Sequence, residues 1–499
     1  MTELASTPDL AQKTIKGIFW SYLAFIGGKV LTFVSTIILA RLLLPEQFGL
    51  VGYCLVAIQY LDILNSAGID SALIARRENL EEAANAAFAA NILLGVVSFG
   101  LTWVVAPSVA VFFKNEEIVP LLRVLGLSLP LSGLGMVPDT LLQRHLRFRT
   151  KLLPSMSGSF TKGLVSIVLA SLGLGVWSLV WGQLAGILAG TVLAWILAGW
   201  RPTWRFRADA TYAIATYGFH IVLLEIAGAF RNNVDYLLVG RILGAAALGY
   251  YTMAYRIPEL LIRSVYIVVG NVSLPVMAMA QKDRKQLHSF YFNYLRYLSL
   301  VLFPVAVGTA ITAPIFIPLF LSPKWNPAIF PTVLISLALG IAAMGYIPGV
   351  LYKAIGRPEL LSRLNFLKVP FAVLVLWYST RWGISGVAAG QIVIGIFSVS
   401  LDTLVANHIM HYAVGDLFKA LAPSFFSVLV MAAFLLGADR TLPFSGILEF
   451  SVLILVGVLS YSMMLWWLDR EIILRGVHLL RNTFMKPKRL VSVDVASDD

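Results

Sequence analysis

LARLLLPEQFGL, residues 39–50, ends one apolar run and begins the next, with Pro45-Glu46-Gln47 as a short break between them. The runs on either side, 16–41 and 48–69, are each long enough for a membrane crossing. A spanning helix takes about 20 mostly apolar residues, because in hydrocarbon every backbone amide must find its partner within the chain. The stretch therefore reads as a tight turn between two transmembrane helices. Working outward with the same criterion, the chain contains fourteen such segments. Besides the first two they are approximately 86–112, 117–137, 153–172, 175–199, 212–240, 247–275, 290–320, 328–351, 361–379, 384–408, 418–437 and 446–468.

Composition agrees. The 499 residues are 59% hydrophobic and 13% charged, with mean hydropathy +0.82; soluble domains run at about 45–50% apolar and about 25% charged. A soluble enzyme, a nucleic-acid binder and a receptor with a large extramembrane domain are excluded, despite the net charge of +12. The one cysteine, Cys54, lies in an apolar run, so neither an intrachain disulfide nor a cysteine metal cluster is expected. No metal site and no cofactor is expected either. The opening MTELASTPDLAQKTIKG lacks the features of a signal peptide and reads as a short amphipathic lead-in, with Pro8 at a first helical position.

Orientation follows from Lys and Arg. Connections from odd to even segments are nearly bare (PEQFG, KNEE, LGLG, GAAAL), whereas those from even to odd are basic (RREN, QRHLRFRTK, RPTWRFR, QKDRKQ, KAIGRPELLSR). The bias places the basic loops and both termini in the cytoplasm, and an even number of crossings requires the termini to share a side. Anionic headgroups of the lipid bilayer are the ordinary partner for this charge.

The opening stretch recurs. At an offset of 200, VGRILGAAALGY (239–250) matches it, with Arg41 over Arg241, Leu43 over Leu243 and Gly49 over Gly249; Phe19 over Phe219 keeps the same spacing. GVWSLVWGQLAG (175–186) is echoed by GISGVAAGQIVI (383–394), which aligns Gly182-Gln183 with Gly390-Gln391. The expectation is an all-α polytopic membrane protein of about fourteen transmembrane helices. Two pseudo-symmetric six-helix bundles, 16–199 and 212–408, surround a central cavity, and two C-terminal helices (409–468) are added. A lead-in (1–15), a basic linker (200–211) and a basic tail (469–499) complete the chain. Parallel repeats of this kind place a substrate path between the halves.

Charged side chains deep in the bilayer cost about 2.5–3.5 kcal/mol or more and so mark cavities or partners. At helical periodicity they form stripes. Helix 8 carries Thr252, Arg256, Glu259, Arg263 and Tyr266; helix 7 carries Glu225, Gly228, Asn232 and Asp235 with Arg231 at the edge; helix 2 carries Gln59, Asp62, Ser66 and Asp70; helix 1 carries Tyr22, Lys29, Thr32 and Thr36. The offset of 200 aligns Gln59 with Glu259 and Thr32 with Asn232. A hydrated cavity lined by helices 1, 2, 7 and 8 is expected, with Lys29, Gln59, Asp62, Arg231, Asn232, Arg256, Glu259 and Arg263 as candidate substrate contacts. Glu225, Asp235 and His220 are candidates for carrying a coupling ion, H+ or Na+. Arg231 and Asp235 stand at i and i+4 and could instead neutralise each other. Lys162, Arg123, Arg296 and Lys368 read as side chains that snorkel to the interfaces. His408 and His411 at i, i+3 make a poor metal site. No phosphate-binding loop, HExxH or nucleophile elbow is present, so covalent catalysis and ATP hydrolysis are not expected.

LLQRHLRFRTKLL followed by GLGVWSLVWGQLAG, together with ARLLLPEQFGL, PVAVGTAITAPIFIPLFLSPKWNPA (304–328) and YKAIGRPELL (352–361), resembles the signature of Wzx-like bacterial polysaccharide transport proteins. Their superfamily also holds multidrug and toxin extrusion transporters and the lipid II flippase. The resemblance implies a flippase of the bacterial inner (cytoplasmic) membrane working by alternating access. It would carry undecaprenyl-diphosphate-linked oligosaccharide to the outer leaflet for lipopolysaccharide or exopolysaccharide assembly, beside a polysaccharide polymerase and export machinery. Within this reading, cations replace the hydration of the diphosphate while Asn232, Gln59 and nearby tyrosines meet sugar hydroxyls. A cation-coupled exporter of small amphipathic molecules is the alternative transporter. A membrane glycosyltransferase is disfavoured, because the longest outer loop is only about ten residues.

Overall fold

The computed structural model describes residues 27–66, 69–70, 73, 79–144, 148–203, 208–441, 443–470 and 474. The lead-in, Tyr22 and the tail from 475 onward lie outside the described residues, as do the side chains at 208–221, His220 among them.

Among the described residues there is no strand, and fourteen helical rods follow one another. They are α1 (27–42), α2 (Pro45–Ser66), α3 (Leu80–Phe113), α4 (Ile118–Arg144), α5 (Phe148–Ser171), α6 (Val176–Ala198) and α7 (Ala208–Leu243). Then come α8 (245–279), α9 (Arg284–Leu321), α10 (329–354), α11 (Glu359–Ser379), α12 (Gly383–Met410), α13 (Val414–Thr441) and α14 (Ile447–Leu468). Each expected segment overlaps one rod, including 153–172 and 361–379, with ends that differ by up to seven residues; the start of the first segment, 16–26, lies outside the described residues. Interruptions sit where the sequence supplies them. α4 is broken at Gly126-Leu127, and α8 loosens into a π turn, Glu259–Arg263, directly after Pro258. Gly175 and Gly383, which open the two echoed segments, have φ of +55° and +68° at the starts of α6 and α12, a conformation that a Cβ would oppose.

Helix pairing repeats with the sequence. In the first half α2 packs on α3, α3 on α4, and α6 on both α4 and α5. In the second, α8 packs on α9, α9 on α10, and α12 on both α10 and α11. α13 and α14 pack together against α9. The halves meet through α2 and α3 against α7 and α8.

The buried cores show how they meet. At the end carrying the odd-to-even connections, one cluster draws on both halves: Tyr53, Phe113, Ile118, Leu122, Leu125, Val180, Val239, Leu248, Tyr251, Trp325 and Val387 are all buried there. Toward the opposite end, among the described residues, each half has its own main core, and a small cluster of Ile63 on α2 with Val222 and Ala229 on α7 joins them. One main core, around Ile69, Phe88, Val137 and Leu141, belongs to the first half; the other, around Tyr291, Leu302, Ile347 and Tyr352, belongs to the second. Apolar burial between the halves is thus extensive at one end and slight at the other, where a polar-lined cleft lies between them.

Candidate functional site

The joined end is closed by backbone contact and by bonds that cross between halves. A Cβ on Gly49 would fall on the Ala245 carbonyl oxygen, and one on Gly249 would fall on that of Pro45, so two backbones touch where α2 and α8 begin. Tyr53 donates its hydroxyl hydrogen to the Gly240 carbonyl at 3.0 Å. Trp325, fully buried, donates from Nε1 to the Ala40 carbonyl at 2.8 Å, and Lys324 Nζ reaches the Arg41 carbonyl at 2.9 Å. The Trp325 ring meets Phe48 of the first half and Tyr250 of the second edge-on.

Behind this closure lie the polar stripes. Lys29 stands thirteen residues from the end of α1 and Arg256 eleven from the start of α8, about 20 Å and 17 Å along their helices. Those depths are near the middle of hydrocarbon about 30 Å thick. Both side chains line one cavity of about 280 Å³ together with Thr32, Thr36, Ser155, Ser159 and Glu259. Beside it, a cavity of about 610 Å³ in the second half is lined by Gln59, Arg231, Asn232, Asp235, Glu259 and Arg263. A groove of about 530 Å³ in the first half contains Asp62. All eight candidate substrate contacts therefore face cavities between or within the halves. Of the ion-coupling candidates, Asp235 lines the 610 Å³ cavity, Glu225 is exposed on α7, and the side chain of His220 is outside the described set.

Local partners differ from those expected at several positions. Arg231 donates from Nη1 to the amide oxygen of Asn365 at 3.0 Å. Asp235 accepts instead from the Tyr236 backbone N–H at 2.9 Å, the Tyr251 hydroxyl at 3.0 Å and Gln391 Nε2 at 3.0 Å. The i, i+4 neutralisation is thus replaced by tertiary partners that helical spacing does not reveal. Arg263 does pair with Glu259, at 3.2 Å. Asn233 Nδ2 bonds Gln59 Oε1 at 3.0 Å across the halves.

The snorkelling expectation is overturned at Lys162 and Lys368. Lys368 is half-buried and pairs with the buried Asp402 at 2.5 Å, and Arg296 pairs with Asp469. Lys162 turns inward to line both the 530 Å³ groove and a small pocket shared with Arg256. Arg123 lies over the Trp103 ring at 4.7 Å. Helices 4, 5, 6, 10, 11 and 12 thereby join 1, 2, 7 and 8 as cavity walls. Gln183 and Gln391, aligned by the sequence echo, both face these cavities, so the echo held a signal that charge alone did not. Among the described residues no group of three His, Cys, Asp or Glu is placed to hold a metal ion. Chemically, the site offers fixed cations, amides and hydroxyls in cavities between and within the halves.

Comparison with known proteins places this geometry. The sequence profile of a family described as polysaccharide biosynthesis protein matches residues 38–330. The succinoglycan biosynthesis transport protein ExoT of Rhizobium meliloti (strain 1021) is 28% identical over 337 residues, covering 67% of this chain and 68% of its own. The lipopolysaccharide biosynthesis protein WzxC of Escherichia coli (strain K12) is 25% identical over 405 residues, 80% of this chain and 81% of its own. Among solved structures, lipid II flippase MurJ in an inward closed conformation superposes with a TM-score of 0.73 at 16% identity, over 91% of this chain and 100% of that one. The last likeness is one of fold.

Proposed function

The chain belongs to the polysaccharide biosynthesis protein family, and on that premise we propose that it is a flippase for lipid-linked oligosaccharide, undecaprenyl-diphosphate-linked repeat units above all. The names of its relatives, a succinoglycan transport protein and a lipopolysaccharide biosynthesis protein, support the cargo. The observation that carries the reading is the division of the cores: among the described residues the halves share a large core at the odd-to-even end and only the small Ile63, Val222 and Ala229 cluster at the other, with Lys29 and Arg256 lining a cavity between them at mid-depth. Carrying a diphosphate and its sugars across hydrocarbon requires replacing their hydration, which fixed cations and amides do, while the prenyl chain stays in lipid.

In this account the basic loops face the cytoplasm of a bacterium, both termini lie there, and the cleft is the cytoplasmic entrance. Arg256 and Lys29 meet the phosphates; Asn232, Gln59 and the tyrosines Tyr255 and Tyr266 of the second-half cavity meet the glycan. Rocking of the halves then closes the cleft and opens the opposite end. The protein acts as a transporter, without covalent chemistry, and a polymerase and export machinery take up the product. Coupling to H+ or Na+ is part of the proposal. One charge moving through 100 mV yields about 2.3 kcal/mol, and Glu225, Asp235 and Glu259 are its candidate carriers.

Native mass spectrometry of the purified protein tests the cargo. A co-purifying prenyl-diphosphate sugar is expected. A small organic cation in its place would overturn the reading in favour of an exporter.

A further inference from the structure

The fifth helix of each half contributes one inward lysine, and the two are treated differently. In α11, Lys368 has its own counter-ion, Asp402 at 2.5 Å, so the second half neutralises it internally. In α5, Lys162 has no carboxylate within ion-pair distance among the described residues; the charges that act on it are Arg256 and Lys29, both of its own sign. The acids of its groove are engaged elsewhere. Asp139 pairs with Lys151 at 2.9 Å, and Asp62 accepts from Asn65 and Ser132 at 3.5 and 3.4 Å.

A pocket of about 70 Å³ joins Lys162 to Arg256 and is walled by Ser166, Gln183 and Thr252. Ser166 Oγ, Gln183 Oε1 and Thr252 Oγ1 are buried there without a hydrogen-bond partner; Ser166 is only 1% exposed. Buried polar atoms left unpaired are costly, and so are like charges held together away from bulk water. Their coincidence marks a place completed by a ligand: an anion accepts from the two cations and from the Ser166 and Thr252 hydroxyls, and a half-turn of the Gln183 amide presents its NH2 in place of the orphaned Oε1.

We propose that Lys162, with Arg256 and the hydroxyls of Ser166 and Thr252, forms a phosphate subsite in the first half, and that the phosphate of the cargo is the counter-ion which Asp402 supplies to Lys368 in the second. The phosphates then sit on the first-half side, and the glycan extends toward the larger second-half cavity. This rests on the flippase reading, and the test separates the two.

The probe is undecaprenyl diphosphate, titrated by native mass spectrometry into the full chain in lipid nanodiscs. Lys162→Met weakens binding at least about tenfold, the loss of a charge-assisted bond, whereas Lys162→Arg stays near wild type. Gln183→Glu, nearly isosteric, supplies a built-in carboxylate beside the ammonium. It also weakens binding at least about tenfold, while the melting temperature holds or rises. That variant keeps the test decisive if Lys162→Met does not fold. Millimolar inorganic pyrophosphate displaces the lipid from the wild type, which shows that the phosphates are read and not only the prenyl chain. Wild-type-like binding by Lys162→Met and Gln183→Glu, or no displacement by pyrophosphate, overturns the subsite and leaves the flippase reading standing. A wild type that binds no prenyl diphosphate overturns the flippase reading itself.

Discussion

Arg41 and Arg241, matched residues of the repeat, each cap a helix of the opposite half. Arg41 donates from Nε and Nη2 to the carbonyls of Phe320 and Leu319 at 2.8 and 2.7 Å, at the end of α9. Arg241 donates from Nη1 to the Val111 carbonyl at 3.3 Å and to that of Phe112, at the end of α3. The last carbonyls of a helix lack intrahelical partners and carry partial negative charge, so a guanidinium both bonds and neutralises them. The exchange of partners between halves is what a pseudo-two-fold axis produces, and it places both arginines across the seam that the proposed alternating access opens.

Removing the clamp shifts the conformational balance. Arg41→Ala with Arg241→Ala deletes bonds worth about 1.5–3 kcal/mol each where a charge takes part. Double electron–electron resonance between spin labels on the 114–117 and 322–328 connections is expected to show a longer distance, populated several-fold more than in wild type. An unchanged distance distribution rejects the clamp as a gate.

Gly49 and Gly249 make the same contact in mirror roles. Alanine at either position drives a methyl group into a backbone carbonyl of the other half, at a cost of about 1–3 kcal/mol. Both substitutions are expected to lower thermal stability of the form with this seam closed, and by similar amounts. A large effect at one glycine and none at the other would contradict the pseudo-symmetric seam.

The Lys368–Asp402 pair serves stability. Asp402→Ala strands a half-buried ammonium, which costs about 3–5 kcal/mol, whereas replacing both partners by apolar residues of similar size costs far less. Fluorescence-detected size-exclusion after a heat step should show Asp402→Ala failing and Lys368→Met with Asp402→Leu recovering. If the double variant is as unstable as the single one, the ion pair is not the reason.

Arg256 lines both the 280 Å³ cavity and the pocket of Lys162. Arg256→Ala is expected to abolish polymer export in a complementation assay without lowering protein abundance on an immunoblot. Export that survives removes Arg256 from the phosphate contact.

Asp235 accepts three hydrogen bonds in a buried network with Tyr251 and Gln391. If it carries the coupling ion, Asp235→Asn uncouples transport: lipid flipping in proteoliposomes continues at equilibrium but no longer responds to an imposed H+ or Na+ gradient. A gradient response equal to that of wild type assigns coupling to another group.

The apolar runs alone sufficed to count the helices and to place most of their ends within several residues, because a membrane span is a local property: about twenty apolar residues must bond their own amides. The spacing of Arg41, Gly49, Gly182 and Gln183 and of their counterparts pointed to a repeat, and the helix pairing follows it. The sequence by itself brought eight polar residues to cavity walls, because helical periodicity fixes which side chains share a face. What it left open is which partner each deep charge takes. Spacing along α7 offered Asp235 to Arg231, but Gln391 stands 156 residues from Asp235, and helical spacing carries no information about a helix that packs from elsewhere. The inward turn of Lys162 and the Lys368–Asp402 pair were hidden for the same reason. A lysine on a spanning helix can snorkel outward or pair inward, and only the arrangement of neighbouring helices sets the direction.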